Sequence, residues 1–209
     1  MCGIAGAVNF KLSYDTINRV MHHRGPDEQN GFAADNIDFY HLRLSILDIG
    51  GGKQPMTLRN RYTIIFNGEI YNHAAIRKQF SLTGQTNSDT ETLLLLYEKM
   101  GVDFLQYLDG MFVLAIYDNV EKTMFLARDR AGKKPLYIYS DDQKIVFASE
   151  LNCLKSQLPL QIAPENFYHY LRIGVFYREL TPYQHVKELP GGAYAMIDCR
   201  TGKINIQRW

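Results

Sequence analysis

Four short β-type segments in the second half of the chain constrain its fold more than any other feature. These runs of apolar and β-branched residues cover 111–117, 123–128, 136–140 and 145–148. Short turn segments separate them, namely Asp118-Asn119, the stretch 132–135 and Asp141-Asp142. Strand-length runs separated by turn residues predict consecutive β-strands.

Helices and further strands are predicted around this series. The remaining β-type runs lie at 4–10, at 37–47, at 62–66 before the turn dipeptide Asn67-Gly68, and in a final hairpin of 194–198 with 203–208. Helical patterns cover 13–22, 72–80, 88–101, 150–155 and 165–171. Ser88 and Glu91 match a capping box at the start of the third helix. Because 209 residues contain no repeat and no linker, we expect one α+β domain.

Composition excludes several classes of function. The net charge of +1 without a basic run argues against nucleic acid and anionic membranes as partners. The longest apolar runs, 93–97 and 111–117, are too short to span a bilayer, and no secretory signal opens the chain. Three cysteines without framework spacing, Cys2, Cys153 and Cys199, are typical of a reducing cytoplasm. No cluster of His and Cys predicts a metal site.

Cys2 is a candidate nucleophile because of its position behind Met1. Removal of Met1 would leave one residue with a thiol of pKa about 8.5 beside an α-amine of pKa about 7.7–8.0. An amine that is partly neutral at pH 7 can act as general base to its own thiol. The alternative is a buried edge strand in which Cys2 packs as a small hydrophobe.

Three further positions carry donor or charged groups suited to a small substrate. Arg43 lies in a strand pattern and could grip a carboxylate, although it could equally be an edge charge facing water. Asn67-Gly68 could supply the two donors of an oxyanion hole, or form a simple hairpin turn. Asp89 begins a helix, where a carboxylate is favoured in any case, but it could also receive an ammonium group. An amino acid with a side-chain carbonyl would use all of these groups.

The motifs of this chain resemble, in order, the glutamine-hydrolysing half of asparagine synthetase, a class II glutamine amidotransferase among the N-terminal-nucleophile hydrolases. The segments that carry the resemblance are MCGIAG (1–6), HRGPD (23–27), RLSILD (43–48), QP (54–55), FNGEIYN (66–72), SDTE (88–91), LDGMFVLAIYD (108–118), FLARDRAGKKPLY (125–137), FASE (147–150) and LPGG (189–192). The resemblance implies a four-layer αββα sandwich of two antiparallel sheets, the N-terminal-nucleophile hydrolase fold. It also implies that residues 1–209 form one glutaminase domain.

The resemblance also implies a role for each matching residue. Cys2 would attack the side-chain amide of glutamine, with Asn67 and Gly68 as the oxyanion hole. The substrate-binding residues would be Arg43 for the α-carboxylate, the backbone of Ile46 and Leu47, and Glu69 and Asp89 for the α-ammonium group, together with Asn67 and Gly68. Arg24 and Asp27 would order the active-site loop.

The same resemblance sets expectations for cofactors and partners. No cofactor and no metal are expected in this chain. A C-terminal synthetase domain that binds ATP and Mg²⁺ would receive the ammonia, and this chain does not contain that domain's pyrophosphate loop. The resemblance leaves room for a homodimer. The competing expectation is a catalytically silent regulatory or scaffold domain of the same fold, which retention of Met1 would produce.

Overall fold

A computed structural model describes residues 1–46, 48 and 50–209 of the chain. Within these residues the strands are β1 (Gly3–Val8), β2 (Glu28–Ala34), β3 (Ile37–Arg43), β4 (Met56–Leu58), β5 (Tyr62–Ile70), β6 (Gly110–Asp118), β7 (Thr123–Arg128), β8 (Tyr137–Ser140), β9 (Ile145–Ala148), β10 (Val186–Glu188), β11 (Ala193–Asp198) and β12 (Ile204–Arg208). The α-helices are α1 (Tyr14–Met21), α2 (His73–Phe80), α3 (Asp89–Met100), α4 (Leu151–Gln157) and α5 (Pro164–Ile173).

The strands form two antiparallel sheets. The first sheet has the order β10-β8-β9-β1-β3-β2, and the second has the order β12-β11-β7-β6-β5-β4. The four consecutive strands predicted from the sequence are all present, but β6 and β7 belong to the second sheet while β8 and β9 belong to the first. The connection from β7 to β8 therefore crosses between the sheets.

Strand alternation places an apolar core between the two sheets. In β6, Val113 and Ala115 join this inter-sheet core, whereas Leu114 and Ile116 face the opposite side. Side chains that alternate with period two are expected when both faces of a sheet are covered. The second sheet is therefore buried on both faces.

Helices cover the outer face of each sheet. In α1, Ile17 and Met21 pack with Leu154 of α4 against the first sheet. In α3, Leu93 and Leu96 pack against the second sheet. The layers thus run helix, sheet, sheet, helix, which confirms the αββα sandwich implied by the resemblance.

The turn predicted at Asn67-Gly68 is wrong. β5 continues through both residues to Ile70, because they pair with Val113 and Phe112 of β6. Nine consecutive residue pairs with β6 outweigh the local preference of an Asn-Gly dipeptide for a turn. The strands β2, β4 and β10 give no clear sequence pattern, because they are short or carry few β-branched residues.

The helices start at the predicted positions, but the hydrogen bonds of Glu91 and Asn72 there differ from the prediction. Ser88 accepts a hydrogen bond from the Glu91 N–H at 3.2 Å, as a capping box requires. The Glu91 carboxylate does not complete the box, because it accepts from the backbone N–H groups of Gln85 and Thr86 instead. Asn72 precedes α2, but its side chain makes no capping hydrogen bond to that helix. Its Nδ2 donates instead to the carbonyl oxygen of Tyr107.

Candidate active site

At one end of the sandwich the inter-sheet face changes from apolar to polar. The inter-sheet core includes Ile4 in β1, Phe39 in β3 and Ile65 in β5. Alternate residues of a strand share a face, so the face continues to Cys2, Arg43, Asn67 and Glu69. Residues distant in the sequence therefore meet where the apolar core ends.

These residues line one cleft. Its walls include the predicted site residues Cys2, Arg43, Ile46, Asn67, Gly68, Glu69 and Asp89. Leu47, predicted to contribute backbone groups, lies outside the described residues.

Cys2 lies half-buried at the start of β1, with its sulfur against the backbone of Leu44. Its Sγ is 3.4 Å from the Leu44 nitrogen, which donates, and 3.6 Å from the Leu44 carbonyl oxygen. Burial raises the pKa of the thiol, although the Leu44 N–H and the nearby cations oppose this effect. The thiol is therefore protonated at neutral pH and needs a base to become a nucleophile.

Arg43 is buried and is not an edge charge facing water. It lies in β3, between β1 and β2, and is 3% exposed. Its Nη1 is 3.3 Å from Glu28 Oε1, and its Nη2 donates to the Asp48 carbonyl at 2.8 Å. These contacts fix the plane of the guanidinium in the cleft wall, which suits bidentate recognition of a carboxylate.

Asn67 carries a buried donor that no described residue satisfies. The side chain is 1% exposed, and its Nδ2 has no hydrogen-bond partner in the described part of the chain. An unsatisfied buried amide costs roughly 1–3 kcal/mol, so such groups are uncommon in folded proteins. The donor is therefore available to an oxygen atom in the cleft.

Gly68 brings a backbone N–H to the same wall. The N–H groups of Phe66 and Ile70 bond to the side-chain oxygens of Gln54 and Asp89. Alternate N–H groups point to the same strand edge, so the Gly68 N–H lies between these two bonds and faces the cleft. A Cβ at this position would lie 2.2 Å from the Met111 carbonyl oxygen, so only glycine fits.

Two carboxylates complete the polar wall. Asp89 is the first residue of α3, and its Oδ2 accepts from the Ile70 N–H at 3.1 Å. Burial raises the pKa of this carboxyl, with hydrogen bonds from the backbone acting in the opposite direction. Glu69 lines the cleft beside it. A cation bound here would offset the cost of burying the Asp89 charge.

Gln54 is a site residue to which the sequence analysis assigned no role. Its Oε1 accepts from the Phe66 N–H at 2.6 Å, and its Nε2 donates to Thr90 Oγ1 at 3.2 Å. The side chain thus joins β5, one residue before Asn67, to α3. The only sequence signal was the QP motif itself (54–55).

His41 is a second such residue, and it joins the two sheets beneath the cleft. Its Nε2 lies 3.1 Å from the Phe66 carbonyl oxygen, which can only accept, so Nε2 carries the proton. Burial lowers the pKa of the imidazole to about 4, and His41 is neutral at pH 7. Alternation in β3 predicts its inward direction, but not its partner on the other sheet.

Asp27 lies outside the cleft and holds the loop that carries Leu44 and Ile46. Its Oδ2 accepts from the Ser45 N–H at 2.7 Å, and its own N–H donates to the Arg43 carbonyl at 3.1 Å. Arg24 contacts Glu150 instead, with Nε and Oε1 3.0 Å apart.

Two features are absent from the residues whose placement is described. No group of three or more His, Cys, Asp or Glu side chains there could hold a metal ion. No helix in that part of the chain has the length and apolar character needed to cross a bilayer.

Known proteins with similar sequences include asparagine synthetases. The chain is 36% identical over 167 residues to the glutamine-hydrolysing asparagine synthetase 3 of Bacillus subtilis, over 74% of this chain and 27% of that protein. It is 38% identical over 165 residues to the glutamine-hydrolysing asparagine synthetase B of Escherichia coli, over 74% of this chain and 30% of that protein. The chain thus spans about a third or less of these relatives.

Solved structures show the same fold at low sequence identity. Glutamine phosphoribosylpyrophosphate amidotransferase from B. subtilis aligns with a TM-score of 0.68 and 20% identity, over 99% of this chain and 49% of that one. The sequence profile of a family described as a glutamine amidotransferase domain matches residues 1–209. Because that match spans the whole chain, the protein belongs to the glutamine amidotransferase domain family.

Proposed function

We propose that this chain hydrolyses glutamine to glutamate and ammonia, with Cys2 as the nucleophile after removal of Met1. One observation carries the proposal, namely that a thiol, a guanidinium, an unpaired amide donor and two carboxylates line a single cleft. Each of these groups matches one part of glutamine.

The α-amine of processed Cys2 takes the thiol proton, and Sγ adds to the side-chain amide carbon of glutamine. Asn67 Nδ2 and the Gly68 N–H donate to the oxyanion that forms. The protonated amine then gives its proton to the leaving nitrogen, and ammonia departs. Water cleaves the γ-glutamyl thioester, which releases glutamate and restores the thiol.

Substrate recognition uses the opposite end of the amino acid. Arg43 binds the α-carboxylate, supported by the backbone of Ile46 and Leu47. Glu69 and Asp89 bind the α-ammonium group. A plain amidase would need neither the guanidinium nor the carboxylates, so their presence in the cleft wall favours a free amino acid as substrate.

We further propose that residues 1–209 form a glutaminase domain that supplies ammonia to an ATP-dependent synthetase domain. The relatives named above are longer than this chain and are described as glutamine-hydrolysing asparagine synthetases. ATP and Mg²⁺ would bind in that second domain. The free thiols Cys2, Cys153 and Cys199 favour the cytoplasm, and a homodimer stays a prediction.

Ammonia release from glutamine tests the proposal. Intact mass first establishes that Met1 is absent, and glutamate and ammonia are then measured in equal amounts. Cys2→Ala abolishes turnover, and Arg43→Ala raises the KM for glutamine without improving hydrolysis of simple amides. A processed chain that releases no ammonia would instead support the silent regulatory or scaffold domain.

A further inference from the structure

Lys134 is a buried cation on the wall of the Cys2 cleft. Its side chain is 4% exposed and lines the same cleft as Cys2. The loop that carries it is held from below by Asp129, whose carboxylate accepts from the Lys133 N–H at 3.0 Å and the Lys134 N–H at 3.2 Å. The side chain is thus fixed at the cleft by its own backbone.

The ammonium group has a poor acceptor and no ion-pair partner. Its Nζ lies 2.7 Å from Met1 Sδ, and a thioether is a weak acceptor. None of the described carboxylates lies within 4.0 Å of this Nζ in an ion pair. Buried lysines are almost always paired, so this arrangement needs a reason.

The contact with Met1 locates the ammonium relative to the nucleophile. Met1 is bonded to the nitrogen of Cys2, the atom that becomes the α-amine on processing. Removal of Met1 would therefore take away the acceptor of Lys134 Nζ and create an amine on the same side of the cleft. Lys134 and this amine would then be neighbouring cations if both were protonated.

We propose that Lys134 keeps the α-amine of processed Cys2 in its uncharged, proton-accepting form, so that the amine can serve as general base. The inference rests on the proposed function. Lys134 acts through Cys2, so it is a positioning residue and not a catalytic one.

Like-charge repulsion gives the physical reason. A cation within a few ångströms of an amine disfavours its protonation, and it stabilises the thiolate that forms on attack. Glu69 and Asp89 face the same cleft and act in the opposite direction, since carboxylates favour a protonated amine. Lys134 and Arg43 together counterbalance them.

The groups around Lys134 act on the pKa of its ammonium in opposite directions. Burial lowers the pKa of its ammonium, and the Arg24 cation acts in the same direction. Asp129, Glu69 and the Cys2 thiol oppose that effect. The carboxylates of Asp129 and Glu69 therefore offset part of the effect of burial on Lys134.

The pH dependence of kcat/KM for glutamine tests this inference on chains shown by intact mass to lack Met1. Lys134→Met moves the acid limb to higher pH by about one unit and lowers the rate at pH 7 about tenfold. Lys134→Arg keeps the wild-type profile. Lys133→Met is the matched control, because the adjacent Lys133 side chain is exposed, and it leaves the profile unchanged.

A second measurement separates this inference from the proposed function. The rate of Cys2 alkylation by iodoacetamide is followed against pH by peptide mass, which needs no turnover. Lys134→Met moves the midpoint to higher pH, whether or not glutamine is hydrolysed. An unmoved midpoint, or a loss of activity without a shift in the pH profile, would overturn the role of Lys134.

Discussion

The environment of Asn67 is hard to explain by folding alone. Its amide is buried at the end of the apolar inter-sheet face and has no partner among the described residues. A donor that stabilises nothing in the folded chain can still stabilise a charge that forms during a reaction. Its burial and its unpaired amide therefore point to the same role.

Asn67→Ala separates these two effects. Loss of one oxyanion donor lowers kcat for glutamine about 10²–10³-fold. The thermal midpoint of unfolding changes little, because the Asn67 Nδ2 that the substitution removes has no hydrogen-bond partner among the described residues. Asn72→Ala serves as control, since its amide bonds to Tyr107 and its loss costs stability but not turnover. Near-normal turnover of Asn67→Ala would refute its role in the oxyanion hole.

His41 makes stability depend on pH. Burial lowers the pKa of its imidazole from 6.5 to about 4 in the folded chain. The unfolded chain therefore binds more protons between these values, and the free energy of unfolding falls as the pH drops from 6.5 towards 4. The full effect of this residue is about 3 kcal/mol.

Urea unfolding at several pH values measures this dependence. The wild-type protein loses stability below pH 6.5 more steeply than His41→Gln, in which nothing titrates at this position. Equal slopes for the two proteins would contradict the assignment of a neutral, buried His41.

At the scale of elements, the cleft depends on the junction between β5 and α3. The edge of β5 bonds to Gln54 and Asp89 on either side of Gly68. Gln54 also reaches Thr90 of α3. The oxyanion donors Asn67 and Gly68 and the carboxylate of Asp89 are thus held in one arrangement by side chains that need not touch substrate.

Gln54→Leu tests this junction. The change leaves the Phe66 N–H buried without an acceptor, and the free energy of unfolding falls by about 1–3 kcal/mol. The KM for glutamine rises as well, because Asn67 and Asp89 lose their common support. Thr57→Val, which removes a partly buried hydroxyl hydrogen bond to Thr63 in the same sheet, changes both quantities less. An equal effect of the two changes would count against the junction.

The sequence predicts the positions of strands better than it predicts which strands pair with one another. Apolar alternation locates β6, β7, β8 and β9, since period-two patterns are local properties of the chain. It does not divide them between two sheets, and it misses β4, whose three residues give little pattern. The extension of β5 through Asn67-Gly68 depends on pairing with β6, which local preference does not encode.

The residues of the candidate site are likewise predictable from the sequence only in part. Arg43, Asn67 and Asp89 can be predicted from the sequence, because their side chains have a recognisable chemistry and occur in motifs. Gln54 and Lys134 cannot, because their importance comes from what they contact in space. The mutual distances that make a site are long-range properties of the fold.

At the scale of the whole molecule, the two sheets bring distant segments together at one end of the sandwich. Cys2 comes from the first residues of the chain, and Arg43 follows from the neighbouring strand in the same sheet. Asn67 comes from the second sheet, and Asp89 from the helix that covers it. The αββα layers are therefore the reason why a terminal cysteine lies over a polar cleft.

The other two thiols differ from Cys2 in their surroundings. Cys153 is a residue of α4 and packs in the core between that helix and the first sheet, and Cys199 belongs to the inter-sheet core. Each is 1% exposed, and burial raises the pKa of each thiol to about 12. Neither thiol is available to a reagent in the folded protein.

Covalent labelling by a thiol-directed glutamine analogue, mapped by peptide mass, tests the central claim most directly. One equivalent of label on processed Cys2, prevented by excess glutamine and absent from Cys153 and Cys199, is the predicted result. Label on either buried cysteine, or a processed Cys2 that stays unmodified, would contradict the account.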